Sequence, residues 1–357
     1  ATTVKVGQYF GGNALDSARR AFGTGTGFCA VLSIAGAIVG WIFADPVLVL
    51  LATPESIHTE ALAYLRVTFL SLPLGAMLMM LAMSLRGMGD SRTPFHGMII
   101  VTVLTIVLNP VLILGWGPFP KLGIAGAAVA NIVANIIGIA AMIALIYRRN
   151  LPLRLSRDEF AYFKPQRDEL RYVVTKGLPM GIQMLVNSAA GLIMIGLVNR
   201  EGMLASAAYS ACLQIWAYLQ MPAFALSMAV SAMVAQNIGA QRHDRVDPIT
   251  KAGVIANLAM TGMLGTLLVL FDAPLLGLFL GDDSAALPIA GHIQLIATGA
   301  YVIMGVVTVL SGTMRAYGAV IMPLLVMVIS FYPARLGFYT LAYPYIGADA
   351  LWWAYPT

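Results

Sequence analysis

Nine stretches of this chain run for about twenty residues or more with almost no charge: 22–43, 60–84, 94–114, 122–147, 172–198, 204–237, 250–271, 287–313 and 322–342. As helices, each is long enough to cross the hydrocarbon core of a bilayer, which needs about 20 residues. Spanning strands would be about ten residues long and would alternate strictly; these runs are longer and continuous. Composition agrees: 59% of the residues are hydrophobic and 10% charged, where soluble domains carry about 25% charged residues. The expected fold is an all-α polytopic membrane protein with nine complete spans. Residues 1–8 read as the tail of an earlier span and 349–357 as the start of a later one, so the chain is expected to be cut at both ends.

Charge placement orients the spans. Of the 21 basic residues, all but Arg66, Lys121, Arg200 and Arg335 fall in or near the loops 9–21, 85–93, 148–171, 238–249 and 314–321. Cytoplasmic loops collect Lys and Arg, so these loops are expected on the inside, and a bacterial inner membrane is the expected location. The same placement makes the net charge of +5 a matter of topology and excludes nucleic acid as a partner. The longest charged segment, 148–171, is the natural linker between a helical bundle at 1–147 and a second at 172–357. Residues 158–171 could form a short interfacial helix; a solvated linker with no partner is the simpler expectation.

The chain repeats itself. Gln8, Gly11 and Asp16 recur as Gln236, Gly239 and Asp244 at a shift of 228, and Arg86 and Pro94 recur as Arg315 and Pro323 at a shift of 229. Gly89 and Gly318 share that shift. Two motifs about 75 residues apart that keep nearly one shift, both on the cytoplasmic side, imply parallel repeats with an even number of spans each. Six per repeat fits once the stubs are included. Glycine after a span permits a tight turn. Arginine at a helix C-terminus suits both the dipole and the positive-inside bias. Proline suits the first turn of the next helix.

The run Leu85-Arg86-Gly87-Met88-Gly89-Asp90-Ser91-Arg92-Thr93-Pro94 resembles the loop after the fourth span of the multidrug and toxic-compound extrusion (MATE) transporters. Asn109-Pro110, the segment Gly115–Ala128 that includes Gly117-Pro118-Phe119, Val234–Ala240 and Ala348–Trp353 resemble further stretches of the same family, so the likeness covers the chain end to end. Its bacterial DinF-like and NorM-like members are the more similar. The resemblance implies a monomeric, twelve-span, two-lobed secondary antiporter. It would export organic cations or amphiphiles in exchange for H+ or Na+ by alternating access within membrane lipid, with no other cofactor. A lipid-linked precursor flippase of the wider superfamily is the alternative; its pyrophosphate head would call for a strongly cationic cavity, and only Arg66 and Arg335 lie well inside spans, away from their ends.

Many bacterial members carry a coupling aspartate on a first span that this sequence does not contain. All sixteen Asp and Glu residues fall in loops or at span ends. Polar residues within spans therefore become the pathway candidates: Thr105 with Asn109, Asn131 with Asn135, and Gln183 with Asn187, each pair four apart and so on one helix face. Arg335 joins them, since an ionisable residue in a span needs a partner or a wet cavity. His292 reads as an outer-surface histidine, and Met77, Met79, Met80 and Met83 as core packing. Pro73, Pro110, Pro179, Pro222 and Pro333 interrupt spans or their ends and can kink them.

Enzymatic readings find no support. The sequence holds no Walker motif, HExxH, CxxC or nucleophile elbow, and Cys29 and Cys212 have no metal-ligand spacing. The run Gly23-Thr24-Gly25-Thr26-Gly27 opens a span rather than following a strand, so helix packing by small residues is its expected role.

Overall fold

The computed structural model describes residues 1–50, 53–116, 120–154, 157–164, 166–281 and 284–356. Gly117, Pro118 and Phe119 of the outer-loop motif lie outside the described residues. Among the described residues nine helices are long and apolar enough to cross a membrane, and none buries more than 33% of its most apolar window. A fold whose apolar helix faces stay largely uncovered belongs in lipid.

The chain divides into two compact units, 2–173 and 174–357. The first contains α1 (Thr2–Gly11), α2 (Leu15–Leu50), α3 (Glu55–Gly87), α4 (Arg92–Leu114) and α5 (Ile124–Arg148), then a 3-10 turn at Arg157–Phe163. The second contains most of α6 (Arg167–Arg200), then α7 (Met203–Gly239), α8 (Val246–Leu270), the short α9 (Asp272–Leu280) and α10 (Leu287–Ala316). It closes with α11 (Ile321–Ile329), a π-helical turn at Ser330–Ala334, α12 (Arg335–Ile346) and α13 (Asp349–Trp353).

The duplication is written into the backbone. At the first motif, the amides of Gly12, Asn13 and Ala14 donate to the carbonyls of Gln8, Phe10 and Tyr9. At a shift of 228, those of Ala240, Gln241 and Arg242 donate to Gln236, Ile238 and Asn237. Asn13 and Gln241 both take left-handed φ, 56° and 58°. At the second motif, Gly89 (φ 87°) donates to Arg86 and Asp90 to Leu85; 229 residues on, Gly318 (φ 76°) donates to Arg315 and Ala319 to Met314. Left-handed φ is where glycine is at ease, which explains Gly89 and Gly318.

The segment expected to link the two bundles belongs to the first unit and departs from expectation. Residues 157–163 form a 3-10 turn rather than an α-helix, and α6 already begins at Arg167. Nor is the segment a free linker: it is strapped onto α2. Arg19 donates from Nη1 to Glu159 Oε1 (2.8 Å) and from Nε to the Pro152 carbonyl (2.9 Å). The Arg20 guanidinium lies 5.4 Å from the Tyr162 ring centroid. The glycine run supplies the seat. A Cβ on Gly27 would sit 2.1 Å from the Phe163 carbonyl oxygen, and one on Gly23 would sit 2.7 Å from Tyr162. The small residues of 23–27 thus admit this strap as well as neighbouring helices.

Candidate functional site

In the first unit the candidates lie on α4 and α5. Thr105 and Asn109 are both half-buried, on one face of α4 ahead of Pro110. The Asn109 Oδ1 is sealed from solvent with no hydrogen-bond partner among the described residues. On α5, Asn135 is half-buried with its amide about a van der Waals contact (3.9 Å) from where a Gly75 Cβ would stand, whereas Asn131 is exposed. The intended pair on α5 therefore splits. Arg66 of α3 lies 5.4 Å from the Trp41 ring, its Nε buried without a partner among the described residues.

In the second unit the pair on α6 splits as well: Gln183 is buried and donates to the Val320 carbonyl (3.3 Å), while Asn187 is exposed. The dense region lies elsewhere. Helices α7, α8 and α10 form a seam whose buried positions on α7 include Cys212, Trp216, Leu219, Ala223, Val230 and Val234, a spacing of three to four residues and its multiples. The Cys212 thiol points at the Ala290 carbonyl (3.4 Å), a packing contact.

Polar groups are threaded through this seam. Gln220 donates to the Tyr301 carbonyl (2.7 Å), Ser227 to the Thr308 carbonyl (2.7 Å), and Arg315 Nη2 to Ser227 Oγ (2.8 Å). Gln294 donates to the Leu268 carbonyl (2.6 Å). Asn257 is fully buried against Gly305, and both its side-chain polar atoms lack partners among the described residues. A desolvated amide left unpaired is costly. Asn257 with Thr261 and Gln294 with Thr298 each show the four-residue spacing that singled out the other amide pairs, so the sequence signal for them existed.

In the same unit, aromatic rings gather around Arg335. The Trp216 and Tyr301 rings stack at 4.5 Å between centroids, and Tyr301 stacks on Tyr355 at 5.6 Å. The Arg335 guanidinium lies 4.2 Å from the Tyr355 centroid and 5.0 Å from Phe331. Its Nε donates to the Ala354 carbonyl (3.3 Å). The Tyr209 and Tyr355 hydroxyls hydrogen-bond to each other, and Trp216 Nε1 donates to Thr298 (3.4 Å). Arg335 follows directly on the π-helical turn that contains Pro333. Such turns insert an extra residue into a helix and recur at functional positions. His292 is exposed and meets Asp349 at 3.0 Å.

Comparison with known proteins places this arrangement. The MatE family profile matches residues 1–111 and 179–340. A probable multidrug resistance protein of Bacillus subtilis, YoeA, is 32% identical over 99% of this chain and 77% of its own length. An FAD transporter of Shewanella oneidensis is 26% identical over 78% of this chain and 61% of its own length. A crystal structure of the Vibrio cholerae MATE transporter VcmN in its bent form superposes with a TM-score of 0.88 over 99% of this chain and 79% of that one, at 19% identity. Profile, relatives and fold agree: this chain belongs to the MatE family of multidrug efflux transporters, which are multi-pass plasma-membrane proteins and not enzymes.

Proposed function

We propose that this protein is a secondary antiporter that exports amphiphilic organic compounds, organic cations among them, in exchange for H+ or Na+, acting as a monomer in membrane lipid by alternating access. The observation that carries this reading is the duplicated cytoplasmic hinge. The same hydrogen-bond ladder with left-handed residues closes the corresponding spans in each unit. Paired rigid bodies with matched hinges suit a transporter in which one conformation opens inward and another outward. A coupling ion drives that exchange only if its affinity differs between the two states.

Thr105, Asn109 and Asn135 are the side chains best placed for the ion or substrate pathway of the first unit, because they are half-buried and unsatisfied or only partly enclosed. Asn131 and Asn187, both exposed, would serve only where their faces border a wet path. Gln183 is engaged with Val320 and acts as a tie between helices. A flippase for lipid-linked pyrophosphates is less well supported, since Arg66 and Arg335 are the basic side chains found well inside the spans.

The test uses inside-out vesicles carrying the full-length protein, energised and loaded with ethidium-like cations. Dye uptake that responds to an imposed pH or sodium gradient is the expected result and names the ion. No gradient-dependent uptake across several cations and neutral amphiphiles, with the protein shown to be folded, overturns the antiport reading.

A further inference from the structure

The geometry points to an oxyanion subsite at Arg335, where the second unit holds the carboxylate, sulfonate or phosphate head of an amphiphilic organic anion. This goes further than the antiport reading and rests on it only for the statement that the bound compound is transported. Arg335 lies 11 residues inside the outer end of α12, Ile346, or about 16 Å at the helical rise. A guanidinium at that depth is expensive unless a partner or a wet cavity meets it. Among the described residues no carboxylate pairs with it, and its one hydrogen bond runs from Nε to the Ala354 carbonyl.

The rest of its surroundings hold it still. Phe331 and Tyr355 each lie against the guanidinium at cation–π distance, and Tyr355 is backed in turn by Tyr301 and Trp216. The Nε–Ala354 bond fixes rotation about the long axis of the side chain. What remains for a ligand is the pair of terminal nitrogens, a planar fork that matches two oxygens of an acid head. The aromatic rings around it offer apolar area for the body of the same molecule. No Asp or Glu lies within the middle of any described span of this unit to compete for the charge or to attract a cation instead. The π-helical turn at Ser330–Ala334 ends where the arginine begins and sets the direction in which it leaves the helix.

A matched pair of probes separates charge from shape: 2-naphthoate and 2-naphthylmethylammonium, titrated calorimetrically into the purified full-length protein. The expected result is naphthoate binding at least tenfold tighter than the cation. In R335Q the naphthoate affinity should fall at least tenfold while the cation binds equally well or better. R335K keeps the charge but not the fork, and should lose roughly three- to tenfold for naphthoate. It also serves as the decisive variant where R335Q does not fold. Naphthoate affinity unchanged in the folded variant, or tighter binding of the cation by the unaltered protein, overturns the subsite. Flux in proteoliposomes keeps the two readings apart. Gradient-driven dye export together with Arg335-independent naphthoate binding leaves the antiporter and removes the subsite. Arg335-dependent naphthoate binding without any response of flux to either gradient does the reverse.

Discussion

Among the described residues the second unit buries several of its amides and the first buries none. Gln220, Asn257 and Gln294 are enclosed where α7, α8 and α10 meet, whereas Asn109, Asn131 and Asn135 of the first unit are half-buried or exposed. Among the described residues the buried polar side chains of the first unit are hydroxyls, including Thr24, Thr26, Ser84 and Thr93. Thr24 and Thr26 lie between Gly23 and Gly27, where the strap of residues 157–163 meets α2. One sequence motif duplicated thus accompanies two different interiors: a seam tied by amide-to-carbonyl bonds, and a bundle whose amides are half-buried or exposed. Interhelical hydrogen bonds in membranes contribute only about 1 kcal/mol each. The seam therefore owes most of its strength to close packing.

The largest effect should come from spoiling the seat of the strap. Gly27→Leu drives a side chain into the Phe163 carbonyl and should destabilise the first unit by about 3 kcal/mol. Gly36→Ala, in the same helix with open space beyond its Cα, should be neutral or slightly stabilising. Thermal melts in detergent compare the two; equal melting temperatures would mean that the strap does not hold the unit. In the seam the sign should reverse. Asn257→Leu keeps the shape and removes an unsatisfied amide, so it should stabilise by about 2 kcal/mol, read as a higher melting temperature. A loss of stability would show that the amide has a partner in the working protein.

Smaller effects test the strap further. Arg19→Gln removes a partly buried ion pair and a bond to the Pro152 carbonyl and should cost about 1 kcal/mol, because the exposed part of such a pair is screened by solvent. A stability change within about 0.5 kcal/mol is expected for Asn109→Ala, although vesicle flux should fall several-fold if this amide lines the pathway. A flux loss matched by an equal fall in melting temperature would make Asn109 a structural residue.

The spans were legible in the sequence because hydrophobic length is a local property, and the helices follow the expected boundaries within a few residues at most ends. The repeated turns were legible for a similar reason: Gly89 and Gly318 answer a local backbone requirement for left-handed φ. The surroundings of Arg335 were not. Trp216 and Tyr301 come from α7 and α10 and Tyr355 from the turn after α13, and nothing in their spacing announces that they share one stack. The strap was hidden by its irregular pattern, since a 3-10 turn leaves no periodicity to find. Asn257 was missed although it carried the same spacing as the pairs that were noticed. Spacing reports a shared helix face but not which face is buried, so it also could not foresee that Asn131 and Asn187 would be exposed.

The strap bears on how the protein is made. Chains emerge from the ribosome N-terminus first, so α2 and its glycine seat are in place before residues 157–163 are synthesised. As that segment appears, it can close onto Arg19, Gly23 and Gly27 without waiting for anything downstream. The first bundle is then latched while most of the second is still to be translated. Its apolar helices have a finished neighbour to bind within their own unit, and are less open to mispairing with the near-copies that follow.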